Sequence, residues 1–380
     1  MKQKSFNLMD YLTMRGDLTF GQSDFNSVDA LILSQIVYNN IEGLVSKEFN
    51  QKITLAELAE RFISTDDFEE RCNMGAMINP LTPELLRLAA KSRRFSNVKV
   101  CAFINKIDEK ALEQFCALTY QIEKDRYVIA FRGTDDTIVG WYEDFNLGYM
   151  PEIPAQKDTR QYIAGAMAAL KGHFILTGHS KGGNLSVFGG MSLPKKSLAR
   201  LDALYNFDGP GFFAPVYERP EYKQIKDRIF AFFPEFCVVG MMFEHVNHYK
   251  IVECSADGIL QHDPFAWNVM GPEFEAAQGF DEASQIFYSS FNAWANTMTD
   301  EERKKFIDSF FSVIYASGAK TNYEIDQNKI VCGGKMLAKL AELSEEERKA
   351  FKKAIKVFIK VVKDEIPMFT VFKPLVISRH

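Results

Sequence analysis

A serine held between two glycines is the residue on which chemistry in this sequence would turn. The stretch Phe174-Ile-Leu-Thr-Gly-His-Ser180-Lys-Gly-Gly-Asn184 reads as a short apolar strand, the pattern Gly178-x-Ser180-x-Gly182, and small residues that open a helix. A sharp strand-to-helix turn of this kind lifts a serine hydroxyl above the edge of a sheet. The flanking glycines let the backbone pass close to itself. A hydroxyl is a weak nucleophile at neutral pH, so Ser180 needs a neighbouring base to take its proton.

The base must come from six histidines. His380 is terminal, and His173 precedes the strand that leads into the turn, at the wrong end of the sheet. His179 adjoins the serine, and its ring is expected to point away from the serine's face and to pack or bond locally. Of His245, His248 and His262, only His262 follows the last predicted strand, which is where such a base belongs. A third group must orient the imidazole and stabilise its charged form. Asp208 ends the strand after the turn helix and gives the chain order Ser, Asp, His. Glu235, one strand later, competes with it, and an Asp-Gly pair is also a common turn bonded to its own backbone. An oxyanion needs two fixed N–H donors. Lys181, directly after the serine, offers one, and Thr134, in Phe131-Arg-Gly-Thr134, offers another together with its hydroxyl.

These residues need a scaffold, and the pattern around them predicts one. Runs 98–104, 115–121 and 127–131 are β-rich and separated by charged turns, with the first two expected as antiparallel neighbours. Further strands are expected at 174–177, 201–207, 229–233 and 249–254, alternating with helical segments such as 159–170 and 181–191. That alternation predicts a mainly parallel sheet with helices on both faces. Sites in such sheets gather at the carboxyl ends of strands, where Thr134, Ser180, Asp208, Glu235 and His262 all fall. Residues 1–96 read as a mostly helical extension packed on a 97–275 core, and 276–380 as a second helical region. Expected there are helices over 281–297, 301–316, 334–343 and 344–364, with a polar break at 322–328. Thr54 and Thr82-Pro83 mark earlier helix starts.

Val128-Ile-Ala-Phe-Arg-Gly-Thr134, then Trp141 and Asp144, then Ile175-Leu-Thr-Gly-His-Ser180-Lys-Gly-Gly-Asn184, resemble the class 3 (fungal-type) lipases in order, over about residues 97–270. The chain looks like an uncharacterised bacterial branch of α/β-hydrolases related to them. The resemblance implies an α/β-hydrolase fold, Ser180 as nucleophile, Thr134 and Lys181 in the oxyanion hole, and a late histidine that matches His262. In that family the acid typically follows the strand corresponding to 229–233, near a D-x-V pattern. Here Cys237-Val-Val239 occupies that register. The segment Asn206-Phe-Asp-Gly-Pro-Gly-Phe212 is instead similar to the acid-bearing segment of pancreatic-type lipases, which favours Asp208.

Composition narrows the rest. A net charge of -5 over 380 residues argues against a nucleic-acid partner. The six cysteines form no C-x-x-C pair or metal-ligand spacing and read as reduced thiols, and no cofactor or metal is expected. No signal peptide and no stable membrane span are expected, so the chain reads as cytoplasmic. The expected activity is a serine esterase or lipase-like hydrolysis of a small-molecule acyl ester or thioester through an acyl-enzyme. The loop Cys237-Val-Val-Gly-Met-Met-Phe243 is a candidate wall of an acyl pocket, a lid, or plain packing. A non-catalytic scaffold that binds a partner, and acyl transfer to an acceptor other than water, are the competing readings. Substrate and oligomeric state have no signature in the sequence.

Overall fold

The computed structural model describes residues 5–244 and 248–352. Eight strands form one sheet in chain order: β1 (Ile53–Thr54), β2 (Lys99–Asp108), β3 (Glu113–Glu123), β4 (Arg126–Phe131), β5 (His173–His179), β6 (Leu201–Phe207), β7 (Ile229–Pro234) and β8 (Tyr249–Val252). β1 to β4 pair antiparallel, and β4 to β8 pair parallel. The charged turns after β2 and β3 are short enough for hairpins, whereas the longer links after β4 return the chain to the same end of the sheet, and those up to β7 carry helices.

The strand order decides where the helices lie. When each new parallel strand is added on the same side, right-handed crossovers all fall on one face. Accordingly helices Pro154–Ala169 and Lys181–Met191, and the links that carry Tyr222, Ile225 and Met241, share a core with Ile129, Phe131, Leu176 and Leu204. The other face, carrying Val128, Ala130, Ile175, Tyr205 and Phe207, would be bare. The N-terminal helices Leu8–Arg15, Ser27–Ile36, Leu55–Ile63 and Thr82–Lys91 cover it. Along β4 the two sets alternate, as the two-residue period of a strand requires.

Helix Ser27–Ile36 lies against β5 and is buried from Val28 to Ile36. Each Leu or Ile fully removed from water there contributes about 1.5–3 kcal/mol. Asp29 in its first turn pairs with Arg94 at 2.5 Å, both side chains being buried, and accepts a bond from the Tyr11 hydroxyl at 2.8 Å. One buried carboxylate thus joins three stretches of the N-terminal region.

On the crossover face, helices Glu282–Asn296, Asp300–Tyr315 and Lys329–Glu342 pack through Phe287, Phe291, Phe310, Phe311 and Met336. The polar stretch at 322–328 is a helix, Asn322–Gln327, rather than a break. Thr321 caps it by accepting from the Glu324 N–H at 3.1 Å, Asp136 holds the Tyr323 N–H at 2.8 Å, and Ile325 is buried. Ser344 and Glu347 bond reciprocally at 2.8 and 3.2 Å and open a helix over 345–352. The rest of that expected helix, His245 and His380 lie outside the described residues. Among the described residues no helix is long and apolar enough to cross a membrane. A mainly parallel sheet clothed by helices on both faces, with a strand-turn-serine-helix unit at its centre, is the α/β-hydrolase architecture.

Candidate active site

Ser180 sits between the end of β5 and the first turn of helix Lys181–Met191, with φ 57° and ψ -132°. A left-handed conformation in a residue with a Cβ is strained and persists only where its surroundings hold it. Here the Ser180 N–H donates to the Phe207 carbonyl at 2.9 Å, and its own carbonyl accepts from Gly183 at 2.8 Å. The glycines are required by contact. A Cβ on Gly178 would lie 2.2 Å from the Gly182 backbone, and one on Gly182 would lie 2.1 Å from the Phe131 carbonyl oxygen. The serine is half-buried and lines a cavity of about 340 Å³.

His262 lines the same cavity. It ends a short 3-10 turn, Gly258–His262, ten residues after β8, and that turn is fixed by its neighbours. Gln261 accepts from the Phe236 N–H at 2.7 Å, and the Trp267 indole donates to the Gln261 carbonyl at 2.8 Å. The His262 Nδ1 lies 2.5 Å from Asp208 Oδ2. Asp208 follows β6, is fully buried, and also has a positive φ of 48°. Its Oδ1 accepts from the Cys237 thiol at 2.9 Å and from the Gly240 N–H at 3.1 Å. Cys237, in the register where the lipase resemblance would put an acid, therefore serves as a donor to Asp208, the aspartate that follows the preceding strand. Glu235 is elsewhere: it borders a separate hollow with Gln278 and Asp281.

Thr134 and Lys181 line the same cavity as the serine. The Thr134 hydroxyl donates to Asp144 Oδ2, so its proton points to that carboxylate rather than to the site where an oxyanion would form. The backbone N–H remains the group Thr134 would offer. The Lys181 side chain turns away from the cavity into the core. Its Nζ donates to Glu143 Oε2 at 2.8 Å and to the Gln114 carbonyl at 2.9 Å, and lies 3.5 Å from Asp144 Oδ1. Burial disfavours the ammonium, but the Glu143 and Asp144 carboxylates outweigh it and the Lys181 pKa is raised. Burial pushes the Asp144 carboxyl up to about 6, against the opposing pull of Lys181 and Thr134.

His179 differs from its expected local role. Its ring borders the cavity, lies 4.6 Å from the His262 ring, and bonds through Nε2 to the His262 carbonyl at 2.8 Å. The sequence predicts no role in the site for Glu143, and for Tyr38 only a place on the apolar face of the helix that starts at Ser27. A signal for Glu143 existed: a lysine flanked by a serine turn and small helix-opening residues sits where the chain must be buried, and a buried lysine needs an acid.

The remaining cavity wall is largely apolar. It draws Met77, Ile78 and Pro80 from the N-terminal region, Trp141 and Phe145 from helix Ile138–Asn146, and Val238, Val239 and Met242 from the loop after β7. That loop divides its side chains: Cys237, Met241 and Phe243 are buried in the core, while Val239 and Met242 are half-buried at the cavity.

A family model described as Mbeg1-like matches residues 89–312, more than half of the chain. The chain belongs to the Mbeg1-like family. That family is lipase-like, which agrees with the α/β-hydrolase fold and points to ester hydrolysis. Among solved structures, the chain is similar to M37 lipase at 16% identity and a TM-score of 0.37, over 56% of this chain and 68% of that one. It is also similar to a mutant form of MDLA from Penicillium cyclopium at 14% identity and a TM-score of 0.39, over 69% of this chain and 91% of that one. No curated protein matches the chain.

Proposed function

We propose that this family member is a serine hydrolase that cleaves an uncharged acyl ester or thioester through an acyl-enzyme, with Ser180 as nucleophile, His262 as base and Asp208 as acid. The observation that carries the reading is the 2.5 Å contact between His262 Nδ1 and the buried Asp208 carboxylate, behind an imidazole that shares its cavity with Ser180. A carboxylate only accepts, so in this pairing Nδ1 carries the proton and Nε2 is left as the basic nitrogen.

In the first step Ser180 Oγ attacks the acyl carbonyl while His262 Nε2 takes the hydroxyl proton. The backbone N–H groups of Thr134 and Lys181 receive the developing negative charge, aided by the positive end of helix Lys181–Met191. Collapse releases the alcohol or thiol, which leaves with the proton from His262, and water repeats the sequence on the acyl-enzyme. The apolar wall suits an acyl chain. Among the described residues that line the cavity, the one lysine is committed to Glu143, which favours an uncharged substrate over an anionic headgroup.

A fluorophosphonate probe tests the reading against a non-catalytic scaffold. The expected result is labelling of the wild type and none of Ser180→Ala, with p-nitrophenyl ester turnover lost in parallel. Absence of labelling and turnover in the wild type would overturn it.

A further inference from the structure

The Tyr38 hydroxyl, supplied by the N-terminal region, stands between two parts of the site. It accepts a bond from the Gly133 N–H at 3.0 Å, in the loop that leads to Thr134, and it lies 3.4 Å from His179 Nδ1. On the far side of the ring, His179 Nε2 lies 2.8 Å from the His262 carbonyl. The chemistry of the four groups fixes every proton in this chain. A carbonyl only accepts, so the His179 Nε2 carries the hydrogen and donates it. A neutral imidazole then has its lone pair on Nδ1, so the Tyr38 O–H donates to Nδ1, and the tyrosine oxygen is free to accept from Gly133. Burial, then the neighbouring His262, keeps His179 neutral, as this assignment requires. The bonds run in one direction, Gly133 to Tyr38 to His179 to His262, so each polarises the next.

Resting on the reading of Ser180 and His262 as nucleophile and base, we infer that Tyr38 and His179 are positioning residues that hold the oxyanion loop and the base at a fixed separation. Neither takes a proton from substrate. Tyr38 sets where the Gly133–Thr134 backbone lies, and His179 sets the height of the His262 backbone and supports its ring from one side. Ser180 is next in the chain to His179. The N-terminal helices are thereby part of the catalytic geometry as well as a cover for the sheet.

The test uses substitutions that keep an aromatic ring at each position and remove its hydrogen bonds: Tyr38→Phe, His179→Phe and the double variant, assayed on a p-nitrophenyl ester, with thermal melts to verify folding. Each single change is expected to lower kcat about tenfold, with KM within about twofold of wild type. Because the two bonds belong to one chain, the double variant is expected to be no more than about threefold worse than the weaker single variant. A loss in the double variant equal to the product of the single losses, a loss confined to KM, or unchanged kcat in folded Tyr38→Phe would overturn the inference. If His179→Phe does not fold, the kcat and KM of Tyr38→Phe decide alone. Wild-type turnover that survives Ser180→Ala sinks the serine-hydrolase reading instead, whatever Tyr38 does.

Discussion

Lys181 and Glu143 form a buried ion pair one residue from the candidate nucleophile, Nζ to Oε2 at 2.8 Å, with both side chains closed to solvent. The acid is fully used: Oε2 also accepts from the Gln114 N–H at 3.1 Å, and Oε1 accepts from the Ala155 N–H at 2.8 Å. The pair therefore ties the start of the serine helix to β3 and to two other helices. Removing one member of such a pair strands a charge in the core, at a cost of about 3–5 kcal/mol. Lys181→Met is expected to lose stability of that order in urea denaturation, and Lys181→Met/Glu143→Gln to regain part of it. A loss below about 1 kcal/mol in the single variant would contradict the role assigned to the pair.

The choice between the two candidate acids has a direct kinetic consequence. Asp208 touches the imidazole, whereas Glu235 borders another hollow. Asp208→Asn keeps the shape but favours the wrong imidazole tautomer, and a kcat loss on the order of 10⁴-fold is expected. Glu235→Gln is expected to stay within about twofold of wild type in the same ester assay. The reverse pattern would move the acid to Glu235.

Cys237 is expected to matter through Asp208 rather than through reactivity. Burial, and then the adjacent Asp208 carboxylate, hold its thiol well above the usual range, so the native protein should leave it unmodified by Ellman's reagent at pH 8. Cys237→Ala removes one of two donors to Asp208 Oδ1 and should lower kcat about three- to tenfold at unchanged KM. Cys237→Ser restores a donor and should recover most of that loss. Equal kcat in the alanine and serine variants would show that the thiol proton contributes nothing.

Asp144 gives a stability signature with a definite sign. Its folded pKa is about 6 against an ordinary 3.8, so between these values the folded state keeps a proton that the unfolded chain has released. Stability from this group is therefore present at low pH and falls as pH rises from about 4 to 6. The side chain retains 23% exposure, which reduces the effect to about 2 kcal/mol. Asp144→Asn lacks this titration. Its stability relative to wild type should improve by about half to two thirds of that amount between pH 4.5 and pH 7.5 in chemical denaturation. A constant difference between the two proteins would remove the assignment.

What the sequence disclosed follows from how local each signal is. The strands were legible because β-branched and aromatic runs were bounded by charged turns. The positions of Ser180, Asp208 and His262 after strands of the sheet were legible because each follows a recognisable β-rich run. The Asn322–Gln327 helix was not, since its cap at Thr321 competes with a polar composition that ordinarily marks a loop, and Asp136 settles the contest from far along the chain. Tyr38, His179 and Glu143 were misread or missed for a related reason. Each has an ordinary place in its own segment, and its partner is distant in sequence: Gly133 for Tyr38, the His262 carbonyl for His179, and Lys181 for Glu143.

The loop after β7 offers a way to set substrate length. Val239 borders the cavity on the same loop that places Cys237 and Gly240 against Asp208, so its backbone is held while its side chain faces open space. Val239→Trp adds a large apolar group to that wall without a new buried polar atom. It should leave kcat/KM for p-nitrophenyl acetate within about threefold and reduce it about tenfold or more for octanoate and longer esters, since each lost methylene contact is worth roughly 0.8 kcal/mol. An equal fall for all chain lengths would mean that the bulk disturbs Asp208 through the loop. An unchanged profile would mean that the acyl chain lies along another part of the wall, such as Met77 and Ile78.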